Sequence, residues 1–205
     1  MRQLTFVVIV AVFLGCSSFA SAQQYVGIPR EAMEYVTSDQ HNSQWCWAAS
    51  IQMILNYYKV DIAQEQIVAR TFGLDPYGRL PDWGGDFKAI TANLNNWNID
   101  NRGRPYIVSA KLGRGAPTPA ILIEELSKRR PVMVGYATGP NSRHAVVITG
   151  ASFSPSPQGP IIHSLIVRDP EPTRQNFRKR GRIEYPGEFL AQRMEHFWYI
   201  RVKGR

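Results

Sequence analysis

The chain has 205 residues, 44% of them hydrophobic and 11% aromatic, with a formal net charge of +8. That length suits a single domain with a sizeable core, and so apolar a composition excludes a disordered or collagen-like chain. No zinc spacing, phosphate loop or RNA-binding signature accompanies the positive charge, so no metal, organic cofactor or nucleic acid is expected.

From the N-terminus, Met1, Arg2 and Gln3 form a short positive region, residues 4–14 an apolar stretch, and Ala20-Ser21-Ala22 a small-x-small cleavage signal. Residues 1–22 therefore read as an export signal, with a mature start at Gln23. The apolar stretch is too short to span a bilayer, so no transmembrane segment is expected in the mature chain. An alternative reading makes Phe13-Leu14-Gly15-Cys16 a lipoprotein cleavage box, although Phe13 fits it poorly. With the signal removed, Cys46 is the one cysteine left, and it cannot join an internal disulfide. It is a buried spectator, an intermolecular partner or a reactive group.

Helical periodicity dominates residues 23–103. Trp47, Ile51, Ile54, Leu55 and Tyr58 recur at three- and four-residue steps as one apolar stripe. A second helix is expected over 62–72, stopped by Gly73. Trp83-Gly84-Gly85 reads as a turn. Asp86 then caps a third helix carrying Phe87, Ile90, Leu94 and Trp97 on one side. In residues 104–205 the pattern changes. A strand is expected over 106–111 and a helix over 118–129, with Pro119 in its first turn. Short β-branched runs follow at 131–136, 144–149, 161–167 and 198–202, with a turn-rich loop at 153–160. The expected fold is α+β, one domain over 23–205 with a helical half and a mostly antiparallel sheet half. Between the last two runs, Arg174, Arg178, Lys179, Arg180 and Arg182 make a basic cluster. It reads as a solvated loop or as a surface for an anionic cell-envelope partner.

A thiol attacks as thiolate, and an unperturbed cysteine is mostly protonated at neutral pH. A helix N-terminus and a neighbouring imidazolium both favour the anion. Cys46 stands where the helical stripe begins. Of His41, His144, His163 and His196, His144 is the candidate partner, because it opens the strand His144-Ala-Val-Val-Ile-Thr-Gly150 after a loop. Asp169 ends the next strand, ahead of Pro170, and a hairpin of the two would set its carboxylate beside the imidazole to orient it. His41, His163 and His196 read as surface or structural.

Gln40-x5-Cys46-Trp47, then His144 at a strand start, then Asp169, resembles the papain-like cysteine peptidases. Gln44-Trp45-Cys46-Trp47-Ala48-Ala49 is similar to their compact bacterial branches, the bacteriocin-leader-processing and plant-pathogen effector peptidases. The resemblance implies a two-lobed papain-like domain and a peptidase acting on protein or peptide substrates, which the export signal would make periplasmic or secreted. In it Cys46 is the nucleophile, His144 the base and acid, Asp169 the orienter and Gln40 an oxyanion donor. Trp45 and Trp47 read as packing residues or as walls of a substrate cleft. The same Cys-His-Asp order also serves amidases and transglutaminase-like transferases, and a non-catalytic binding module can keep the fold. The Cys-Gly-Ser/Ala segment of papain is absent, with Ser43-Gln44-Trp45 in its place. The third member is aspartate rather than asparagine.

Overall fold

The computed structural model describes residues 22–172 and 180–204. Residues 1–21, with Cys16, and the basic residues Arg174, Arg178 and Lys179 lie outside the described residues.

The order along the chain is β1 (Gln24–Gly27), α1 (Arg30–Glu34), α2 (Cys46–Tyr57), α3 (Gln64–Phe72), α4 (Phe87–Asn93), β2 (Asn96–Ile99) and β3 (Pro105–Arg114). There follow α5 (Pro119–Ser127), β4 (Val132–Gly139), β5 (Ser142–Ser154), β6 (Ile161–Arg168), β7 (Arg182–Pro186), α6 (Gly187–Ala191) and β8 (Met194–Gly204). The strands form one sheet in the order β2-β3-β8-β4-β5-β6-β7, with β1 against the far part of β5, and every pair is antiparallel.

Both faces of this sheet are covered, and the strand sequences carry the reason. Along β4 and β5, Met133, Ala145 and Val147 point into one apolar cluster, while Val132, Val134, Val146 and Ile148 point into another. With side chains alternating across the pleat, a strand buried on both faces must be apolar at every position. The first cluster packs against the stripe of α2 (Trp47, Ile51, Ile54, Leu55) with Ile67 of α3 and Ile90 of α4. The second packs against Leu122 and Leu126 of α5 and Leu190 of α6. The helices start and stop on local chemistry. Asp86 accepts the Ala89 N–H at 2.8 Å and caps α4. Gly73, at a φ of 72°, ends α3 in a conformation glycine enters freely. Pro119 occupies the first turn of α5.

Some expected boundaries move. The third helix ends at Asn93, so Trp97 lies not on its apolar side but on β2, exposed, opposite Ile107. Two strands, β1 and β2, come from the half expected to be helical, and each is four residues long. The strand expected over 106–111 runs from Pro105 to Arg114, pairing along its length with β8. Of the basic cluster, Arg182 begins β7 and Arg180 turns into it at a φ of 48°.

Candidate active site

Cys46 is the first residue of α2, and no side chain caps that helix start. Orphan N–H groups at such an end are available to an anion. The approach to the helix is stitched to the segment 81–85. Ser43 Oγ and the Gln44 N–H both donate to the Asp82 carboxylate, at 2.7 and 2.8 Å. The Trp45 indole N–H donates to the Pro81 carbonyl at 3.0 Å and that of Trp47 to the Trp83 carbonyl at 3.2 Å. Three consecutive residues of that segment therefore hold the chain on either side of the thiol in place.

The sheet supplies the other half. His144 lies on β5 opposite Tyr136 of β4, and Asp169 directly follows β6, which pairs with β5. The ring Nε2 of His144 and the Asp169 Oδ1 are 2.7 Å apart, with both side chains mostly buried. The carboxylate is itself held. The Glu171 N–H donates to its Oδ1 at 2.9 Å, and the Asp169 N–H donates to the Gly181 carbonyl at 2.8 Å. Gly181 has a φ of +67° and would put a Cβ 2.3 Å from the Asp169 carbonyl oxygen, so only glycine fits there. Tyr136 meets the imidazole edge-on, ring centroids 5.8 Å apart.

With Nε2 turned to Asp169, the other side of the ring meets Cys46. Burial pushes the His144 imidazolium down, but the hydrogen bonds to Asp169 and to Cys46 and their negative charges outweigh it, and its pKa rises to about 10. The imidazole is thus arranged to hold a proton between a sulfur and a carboxylate.

These groups open onto a cavity of about 490 Å³ between the helices and the sheet. Its helical side is Cys46, Trp47, Gly84, Gly85 and Phe87. Its sheet side is His144 with Ala145, Gly135 and His196 in one cross-strand row. Small side chains in that row leave the space, and aromatic rings wall it.

Two expected residues sit elsewhere. Trp45 does not wall the groove. It is 1% exposed within the helix-side core, because its ring packs inward while its N–H is spent on Pro81. Gln40 is tied by its backbone N–H to the Pro170 carbonyl at 2.8 Å, and its side-chain amide donates to the carbonyls of Asn42 and Ser43. Its Oε1 is buried without a hydrogen-bond partner, and it does not line the cavity. His41, read as surface or structural, is exposed and pairs with Glu65. Conversely, His196, expected to be structural, lines the cavity and stacks on Phe87 at 4.9 Å between centroids. Its position beside the aromatic run Phe197-Trp198-Tyr199 was the available signal. Asp82 had none, since its role depends on a loop contact 38 residues away. His144, Asp169 and Glu171 bring one nitrogen and two carboxylate oxygens within 4.8 Å of one another. The 2.7 Å bond to Asp169 already occupies the nitrogen facing those carboxylates.

The wall formed by residues 84 and 85 gives a direct test. A Cβ at Gly85 would lie 2.4 Å from the Trp47 ring, whereas one at Gly84 would meet nothing closer than 3.8 Å. Gly85→Ala should therefore push Trp47 or the wall aside, costing about 1–3 kcal/mol of stability and lowering turnover. Gly84→Ala should do neither. Thermal unfolding of the two variants side by side checks this, and equal melting temperatures would reject the packing argument.

The family model described as Peptidase_C39 like family matches residues 32–202. No curated protein matches the chain. Among solved structures, the chain is similar to a double glycine motif protease from an AMS/PCAT transporter, crystallised in complex with the leader peptide. The TM-score is 0.46 at 19% identity, and the match covers 80% of this chain and 89% of that one.

Proposed function

The chain belongs to the Peptidase_C39-like family and is a cysteine peptidase, and from that premise we propose that it is exported and cleaves peptide bonds with Cys46, His144 and Asp169 as its catalytic triad. The observation that carries this reading is the bracketing of one imidazole by Cys46 and Asp169 at the edge of a cavity. Export rests on the signal-like residues 1–22.

In this reading the Cys46 sulfur attacks the carbonyl carbon of the scissile bond while His144 holds the proton. The tetrahedral oxyanion accepts the Cys46 backbone N–H at the uncapped start of α2, where the helix dipole also favours negative charge. The imidazolium then gives its proton to the leaving amine, the C–N bond breaks, and a thioester to Cys46 remains. Water, deprotonated by the now neutral His144, attacks that thioester and releases the acid and the thiol. Asp169 keeps Nε2 occupied throughout, so that the opposite nitrogen faces the sulfur. For Gln40 to add a second donor, its amide must give up one of its two hydrogen bonds to the Asn42 and Ser43 carbonyls. The substrate is a protein or peptide. An anionic envelope surface is the partner we assign to Arg174, Arg178, Lys179, Arg180 and Arg182, on the clustering of their charge alone.

Alkylation tests the pairing without knowledge of the substrate. Iodoacetamide at about pH 6 should modify Cys46 rapidly, and His144→Ala should slow that reaction at least about tenfold. Equal rates in the two proteins would mean that no ion pair forms and would remove the catalytic reading.

A further inference from the structure

At the opposite end of α2 from Cys46, about 17 Å along the helix at 1.5 Å per residue, a second cavity of about 590 Å³ opens between Tyr57, Tyr58, the end of α5 and the end of β8. Six basic residues from three separate stretches line it: Lys59, Lys128, Arg129, Arg130, Arg201 and Lys203. Part of that charge is neutralised. Arg201 makes a two-pronged pair with Glu125, at 2.7 Å for each contact, Arg130 stands 3.7 Å from the same carboxylate, and Lys128 pairs with Glu124. Lys59, Arg129 and Lys203 have no carboxylate partner among the described residues.

The backbone at this site is unusual in the same place. Helices α2 and α5 both end here, and each closes with the same pair of bonds. The Lys59 and Val60 N–H groups donate to the Asn56 and Leu55 carbonyls, as the Arg129 and Arg130 N–H groups do to Leu126 and Glu125. This closure puts the residue after the cap in the left-handed region, where glycine is the usual occupant. Here the occupants are Lys59, at a φ of 67°, and Arg129, at 55°. A favourable interaction with the helix dipole explains a cation in the last turn, but not one at the strained position itself. Two long cations stand where glycine costs least, and both face one cavity. The carbonyl oxygens of these two residues are also covered, by the Arg104 guanidinium at 2.5 Å and by the Tyr57 hydroxyl at 2.9 Å. Those acceptors are therefore satisfied and do not compete for the cations.

We propose that this pocket is a binding site for a linear phosphate-bearing polyanion, one phosphate facing each of Lys59, Arg129 and Lys203, with Tyr57 and Tyr58 as its apolar wall. The site is remote from the thiol and stands whether or not the peptidase reading does.

The test is calorimetric titration of the mature chain with inorganic tripolyphosphate at about 50 mM and about 200 mM salt. One saturable site is expected, with log K falling against log salt at a slope of about −2, the value for three phosphate contacts on a flexible strand. The doubly substituted Lys59→Gly, Arg129→Gly protein removes both charges and both strained backbones. It should melt higher, by about 2–4 °C for each kcal/mol of strain relieved, and bind at least about tenfold more weakly. Loss of binding in a stabilised protein separates a ligand role from a folding role. Absence of saturable binding in the wild type, or unchanged binding in the variant, overturns the proposal. A short oligothymidylate with the same number of phosphates separates the sources. Tighter binding than tripolyphosphate assigns the tyrosines to nucleic-acid bases, and equal binding assigns the site to phosphates alone. Peptide cleavage by the same variant should be unchanged, so a failure of the peptidase reading would appear separately, in the Cys46 and His144 variants.

Discussion

Cys46→Ala should abolish hydrolysis of any peptide the wild type cleaves, by about 10⁴-fold or more, and should leave the fold intact. Each half of that expectation has its own cause. In the proposed mechanism the sulfur forms and breaks the bond to carbon, and nothing else lining the cavity can replace it. Ser50, one turn along α2, has its hydroxyl committed to the Ala145 carbonyl at 3.1 Å and is fully buried. The fold is unaffected because Cys46 is half-buried at a helix start and alanine is the best helix former. Its removal also takes away one of the two neighbours that hold the His144 proton. The Cys46→Ser protein separates geometry from nucleophilicity, since its hydroxyl fills the same place but does not form the anion near neutrality. Cleavage of a peptide library, read by mass spectrometry, is the measurement. Products from Cys46→Ala at the wild-type rate would place the chemistry elsewhere in the chain.

What the sequence made legible, and what it did not, divides by the range of the interactions. The start of α2 at Cys46, the cap at Asp86, the stop at Gly73 and the His144–Asp169 hairpin were readable, because each depends on neighbours or on a pattern within one or two strands. The helix-or-strand identity of residues 94–99 was not. Leu94 and Trp97 continue the spacing of α4, yet Trp97 pairs with Ile107 on a four-residue edge strand. Pairing with a distant partner decides the fate of so short a strand. The orientation of Trp45 was equally hidden. Trp45, Cys46 and Trp47 are consecutive, and which ring faces the cavity depends on the carbonyls of Pro81 and Trp83. His196 illustrates the same limit. It reaches the cavity because Gly135, its cross-strand neighbour on β4, has no side chain to fill the space.

The two cavities share one rigid element. α2 carries Cys46 at its first residue and ends beside the basic pocket, and eight of its side chains are buried between the sheet and the helices α3 and α4. Its ends are specialised in opposite senses. The start lacks a side-chain cap, which leaves its N–H groups available to an anion. The end closes its Ile54, Leu55 and Asn56 carbonyls on backbone N–H groups, and cations line the pocket beside it. A helix so packed keeps Cys46, the proposed nucleophile, fixed relative to the sheet that carries His144, as a reaction needing contact within a few tenths of an ångström requires.

Asp169 carries the second large effect, and its signature is a displaced pH profile. Removing its carboxylate with Asp169→Ala should cost about 10²–10³-fold in kcat/KM, because the imidazole loses the partner that fixes its orientation. Asp169→Asn keeps an acceptor oxygen for Nε2 and should recover most of that loss at neutral pH. The two differ from the wild type in charge, and the direction follows from His144. In the proposed mechanism the leaving amine takes the proton of the imidazolium, so the alkaline limb of kcat/KM reports the loss of that proton. With His144 raised to about 10, the wild type should stay active to near that pH. In Asp169→Asn the burial that pushes the imidazolium down remains, while the hydrogen bond that pushes it up weakens to one with a neutral amide oxygen and the negative charge of the carboxylate is gone. The alkaline limb should therefore fall by at least about one pH unit. Stability should move with it. A histidine of ordinary value 6.5 that rises to about 10 on folding stabilises the folded state fully below about pH 6.5 and loses that contribution as pH climbs through 10. The stability gap between wild type and Asp169→Asn, measured by urea unfolding, should accordingly be widest near pH 6 and narrow toward pH 10. Alkaline limbs that coincide, with a gap that stays constant across that range, would mean that Asp169 does not hold the proton on His144.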